Sequence, residues 1–92
     1  GKIFIDEGAE KAVKSGKSIL PAGILKTEGS YNKGDLIYIV NSENKIIGKG
    51  LSHYNNNEVN LVKKMRSDKI EKVLGYRGKD EIIHIDDFVL EN

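Results

Sequence analysis

No cysteine occurs among the 92 residues, which excludes disulfides, thiolate catalysis and sulfur-ligated zinc or iron–sulfur centres. A thiol-free chain suits a reducing, cytoplasmic setting. Long apolar runs are missing as well. Residues 19–25 form the longest candidate, but it contains Pro21, the only proline, and stops at Lys26. That is far short of the ~20 residues that span a bilayer, and no signal-peptide pattern appears. A membrane partner is therefore not expected. Nor does one sign of charge prevail: 15 Lys and Arg stand against 14 Asp and Glu, a formal net charge of +1. Any basic patch has to be local. The single methionine is Met65 and the first residue is Gly1, so the chain is expected to be one domain cut from a longer polypeptide. At this length there is no room for a second lobe or a lid.

What is there reads as a succession of short elements. Residues 2–5 (KIFI) form a β-type run, and Asp6 suits the N-cap of a helix, because its carboxylate can accept from first-turn N–H groups. That helix extends to Ser15 with Ala9, Ala12 and Val13 on one face, and Gly16 ends it. Glu7 with Lys11, and Glu10 with Lys14, are i,i+4 pairs in the favourable order. Residues 18–28 read as one extended segment, with Pro21 implying an edge or a bulge and Gly23 a close backbone approach. Turns at 29–30 and 32–34 lead into residues 35–40 (DLIYIV), the densest strand, with Tyr38 expected in the core. Residues 41–45 make a hairpin loop, and 46–51 (IIGKGL) return with Gly48 and Gly50 on one face, where a neighbour can pack tightly.

Asn55 and Glu58 have capping-box spacing before a helix that runs through Val59, Val62 and Met65. Ser67 can cap a second short helix with Ile70, Val73 and Leu74 inside and Gly75 at its end. The stretch EIIHIDDFVL, residues 81–90, reads as a closing strand in which His84 shares a face with Ile82 and Asp86. The expected class is mainly β with short helices (α+β), with the turn density of a small barrel.

Gly16-Lys17-Ser18 has the look of a P-loop tail, but Lys11 stands where that motif needs glycine, and no helix follows. His53 and His84 are the only histidines. Asp86 and Asp87 beside His84 invite a catalytic reading, but too few residues could complete such a site, so His84 is read as structural. No catalytic residue and no metal ligand is assigned. Tyr31, Tyr54 and Tyr76 adjoin turns and read as amphipathic rim residues able to stack on a base. Lys11, Lys14 and Lys17, then Lys26 and Lys33, form one basic stretch, and Lys63, Lys64, Arg66, Lys69 and Lys72 a second. The last fourteen residues hold one Lys against Asp80, Glu81, Asp86, Asp87 and Glu91. Such segregation fits solvated faces, or a patch that contacts a few phosphates weakly and in a salt-dependent way.

The helix, Gly16, Leu20, Ala22-Gly23-Ile24, Lys33-Gly34-Asp35 and the Gly48-Lys49-Gly50 return together resemble the PUA domain family. The ending resembles the PUA domain at the C-terminus of glutamate 5-kinases, with matches at Leu74, Gly75, Tyr76, Glu81, His84 and Asp86. It departs at Ile85, where that family usually has arginine. The resemblance implies a PUA-type mixed-strand pseudo-barrel without a catalytic residue of its own. Its partner would be the amino-acid-kinase domain of the same polypeptide, which would bind MgATP and phosphorylate L-glutamate in proline biosynthesis. No cofactor is then expected in this chain. Regulation or assembly of the kinase, including its oligomer, is the leading role. Other PUA domains bind structured RNA through the first helix, the glycine loop and the next strand. Carried over by position, those places hold Lys11, Lys14, Gly16, Lys17, Ala22, Gly23 and Lys26.

Overall fold

The computed structural model describes residues 1–91. Five strands form one sheet in the order β2-β1-β3-β4-β5, where β1 is Lys2–Ile5, β2 Ile24–Glu28, β3 Leu36–Val40, β4 Ile46–Leu51 and β5 Phe88–Leu90. Strands β1 and β3 pair in parallel and the other neighbours are antiparallel. Three short helices complete the fold: α1 Glu7–Lys14, α2 Asn56–Val62 and α3 Ile70–Leu74. This is the mixed α+β architecture expected above.

Local signals place several elements directly. Asp6 is extended and its carboxylate accepts from the Ala9 N–H at 2.7 Å. Gly16 follows α1 with φ +89°, a conformation that side chains with a Cβ rarely adopt. At α2 the capping box is complete, with Asn55 and Glu58 exchanging side chain–backbone bonds of 3.0 and 2.9 Å. Gly23 fits beneath α1, since an added Cβ would come within 2.5 Å of the Ala9 Cβ.

The core lies on one face of the sheet. Ile3, Ile5, Ile37 and Ile39 point into it and meet Val13, Val59, Val62 and Ile70 from the helices. Residues 18–28 are not one extended segment. Ile19 makes an isolated bridge to Ile83, Pro21–Gly23 is a 3-10 turn, and only then does β2 begin. Pro21 is buried at the first position of that turn, where its missing N–H costs nothing. Tyr38 is 44% exposed, so it stands outside the core. Tyr31 and Tyr54 are buried instead, at 4% and 1% exposure, and only Tyr76 keeps a rim position. Along β3, Ile37 and Ile39, not Tyr38, occupy the covered face.

Met65 and Val73 are also exposed rather than interior, because α2 ends at Val62 and α3 is little more than one turn. Ser67 opens a 3-10 turn without capping it through its side chain. The closing stretch departs most from its expected form. Ile82 and Ile83 are both fully buried, yet neither lies in a strand, and Ile83 makes only the isolated bridge to Ile19. A 3-10 turn at Ile85–Asp87 follows, and β5 contains only Phe88–Leu90. His84 precedes that turn, and its Nδ1 accepts from the Asp86 N–H at 3.0 Å. His84 thus caps a turn rather than sitting within a strand.

Candidate functional site

The first helix and the loop after it enclose a shallow groove of about 270 Å³. Gly8, Ala9 and Ala12 form its helical wall, and Leu20, Ala22 and Gly23 form the facing wall. Small residues on both sides leave the space open, and the Gly23–Ala9 contact sets how closely the walls approach. Leu20 is 45% exposed and supplies an apolar lip. Lys17 and Ser18 stand at one end, and Asp6 at the other is occupied in capping α1.

Of the residues assigned by position, Lys17, Ala22 and Gly23 come together here. Gly16 ends the helix beside them and is open to solvent, with nothing within 4 Å of an added Cβ. Lys14 does not join this group. At 3.6 residues per turn it lies roughly opposite the Gly8–Ala9–Ala12 face, and Lys11 lies about a quarter turn away from it. The Lys14 Nζ pairs with Glu10 at 2.8 Å, and Glu10 also accepts from the Asn41 side chain at 3.2 Å. Those two bonds, Lys14 first, hold the Glu10 carboxyl below the usual carboxylate range. Lys26 is farther off, on the outer sheet face, 3.1 Å from Glu28 and 4.4 Å above the Phe4 ring. The seven positions thus divide into a groove set, a helix-flank pair and a sheet-face lysine.

Sequence reading left His53 without an assigned partner. His53, only 17% exposed in its side chain, places Nε2 3.3 Å from Asp87 Oδ2 and Nδ1 4.0 Å from Glu81 Oε1. Its backbone N–H donates to the Ile82 carbonyl at 2.8 Å. The Nε2–Asp87 contact and the backbone bond to Ile82 thus tie the chain after β4 to the closing segment, while the buried Nδ1 has no hydrogen-bond partner among the described residues. No local signal announces this, because His53 and Asp87 are separated by 34 positions. Among the described residues no group of three or more His, Cys, Asp or Glu side chains is placed to hold a metal ion. No helix among them is long and apolar enough to cross a membrane.

Residues 1–74 match the model of the PUA domain family. The chain belongs to the PUA domain family. Among curated relatives, the glutamate 5-kinase of Thermoanaerobacter sp. (strain X514) is 48% identical over 91 residues, covering 98% of this chain and 24% of the relative. The glutamate 5-kinase of Aquifex aeolicus (strain VF5) is 40% identical over 90 residues, covering 98% and 25%. This PUA domain therefore spans about a quarter of the length of these relatives. A solved PUA domain from Aeropyrum pernix K1 superposes with a TM-score of 0.65 at 15% identity, over 91% of this chain and 41% of that one. A chain of the archaeal box H/ACA sRNP Nop10–Cbf5 complex does so with a TM-score of 0.62 at 23% identity, over 99% and 23%. Those two likenesses concern the fold. The near full-length match to glutamate 5-kinases extends through the closing segment, where the PUA model has already ended.

Proposed function

We propose that this PUA domain is a non-catalytic, regulatory or assembly module of a glutamate 5-kinase polypeptide. The observation that carries the reading is the 48% identity to a protein of that name across 98% of this chain. MgATP and L-glutamate would be held by the amino-acid-kinase domain of the same polypeptide. The residues of this chain agree with that division of labour. The His53 cluster is tied up in joining two segments, and the α1 groove has an apolar lining with Lys17 at its end. A cytoplasmic location follows from the proposed biosynthetic role. The test is to assay ATP-dependent glutamate phosphorylation by the domain alone and by the polypeptide without it. The domain alone should show none and the remainder should retain it. Loss of turnover from a folded remainder would contradict the reading.

A second reading, RNA binding, is favoured by the α1 groove, where Lys17, Ala22 and Gly23 converge as the family resemblance requires. Its weakness is electrostatic: the net charge is +1, and Lys14 and Lys26 already have carboxylate partners. If it holds, a structured RNA should associate at ~50 mM salt, where phosphate contacts are strongest. K14E/K17E should then abolish the association. Absence of binding by the unmodified domain under those conditions leaves the regulatory role alone.

A further inference from the structure

A cavity of about 420 Å³, sharing no lining residue with the α1 groove, opens between two turns that are distant in sequence. Lys33, from the turn before β3, forms one rim. Arg77 and Lys79, from the loop after α3, form the other. No Asp or Glu lines it. Among the described residues Lys33 and Lys79 have no carboxylate within 4.0 Å, and Arg77 has only a 3.6 Å contact with Glu71. Three cations thus surround an opening with one weak internal counter-ion between them.

The rim is held in place before any ligand arrives. Tyr54, 1% exposed, donates its hydroxyl to the Lys79 carbonyl. Tyr76 donates its hydroxyl to the Glu58 carboxylate, which also accepts from the Asn55 N–H. Gly78 lies so close to the Tyr54 hydroxyl that any Cβ there would overlap it, so the loop rests on the ring and carries Arg77 and Lys79 to either side. Asp80, next to Lys79 in the chain, lines a separate cavity rather than this one. Glu81 approaches His53 Nδ1, and Asp35 accepts from the Asn32 N–H at 2.8 Å. Tyr76 remains 46% exposed, with its ring 6.5 Å from that of Tyr54, and offers a flat apolar surface beside the cations.

From this arrangement we propose that the cavity bounded by Lys33, Arg77 and Lys79 binds a small organic phosphate. The phosphate sits among the three cations and the organic group rests on Tyr76. A phosphomonoester carries nearly two negative charges at neutral pH, which suits a cluster that has lost little of its charge to internal pairing. Arg77 can meet two phosphate oxygens with its planar fork, whereas the lysines act as point charges. The cavity is within the size range of small-ligand sites, about 300–1,000 Å³. The site stands on residues of this chain alone and does not depend on the kinase reading.

Amide shifts of the isotope-labelled domain at low salt, titrated with inorganic phosphate, adenosine and adenosine 5′-monophosphate, provide the test. The monophosphate should shift residues 33–34, 53–54 and 76–79 saturably, with a Kd below about 1 mM. Phosphate alone should move the same residues more weakly, and adenosine should leave them in place. R77Q/K79Q exchanges exposed side chains and keeps the fold. It should weaken monophosphate binding at least about tenfold, a loss of roughly 1.4 kcal/mol, whereas K14Q/K17Q should not alter it. The proposal is overturned if no saturable shift occurs, if the shifts map to the α1 groove, or if R77Q/K79Q leaves them unchanged.

Discussion

Tyr54→Ala should cost about 3–5 kcal/mol, the range for removing a large aromatic side chain from a core. Tyr54 is among the largest fully buried side chains and sits against the loop of residues 76–79. Its removal empties the space beneath Gly78 and releases the Lys79 carbonyl. Natural domains hold only ~5–15 kcal/mol in total, so the variant should populate unfolded chain at ambient temperature. Tyr54→Phe separates the two contributions: it keeps the ring and should cost only ~1 kcal/mol for the lost hydrogen bond. Urea midpoints of the three proteins measure the difference. Burial and the neighbouring charges of Glu58, Asp80 and Glu81 push the Tyr54 phenol pKa upward, so its hydroxyl remains a donor to Lys79. The Glu58 carboxylate raises that of Tyr76 to about 12, with burial adding to it. Both pins on the loop are therefore protonated throughout the neutral range.

The second large effect is expected at Gly48. An added Cβ would lie 2.5 Å from the Val89 carbonyl oxygen and would overlap the tip of the Phe88 ring. The ring can swing aside, but the carbonyl cannot. Its strand is held by the Gly48–Leu90 and Lys49–Val89 register and by the Glu91 N–H bond to the Ile47 carbonyl at 2.9 Å. Gly48→Ala should therefore push β5 off the sheet or strain β4, at about 3 kcal/mol, the upper part of the range for overpacking. Hydrogen exchange should show amide protection lost first in residues 88–91, before β1 and β3 open. If Gly48→Ala has wild-type stability and β5 protection, the close approach does not constrain the sheet.

Gly48 and Gly50 also indicate what could be read in the sequence. Two glycines on one face of a strand announce a tightly packed neighbour, and β5 and Ile83 prove to be that neighbour. Asp6 with Gly16, and Asn55 with Glu58, gave α1 and α2 their starts or ends because caps are local chemistry. Tyr38 was misplaced for the opposite reason. Strand alternation separates two faces, but which face is covered depends on helices elsewhere in the chain. The 3-10 turns at Pro21–Gly23 and Ile85–Asp87 are too short to leave a period, so both were absorbed into strands. The groove was half legible. The match by position found Lys17, Ala22 and Gly23, but helical geometry turns Lys14 away from them. Neither the His53–Asp87 contact nor the meeting of Lys33 with Arg77 and Lys79 leaves any local trace, since topology alone joins them.

A domain that modulates a kinase and performs no chemistry should be dispensable for turnover and required for control. Steady-state kinetics of the full-length polypeptide and of the same polypeptide without residues 1–92 address this directly, measured across Mg²⁺ and proline concentrations. The shortened enzyme should keep its turnover within about tenfold, while its proline inhibition, metal demand or oligomeric state shifts. Turnover abolished in a folded remainder, or every one of these properties unchanged, would contradict a modulatory role.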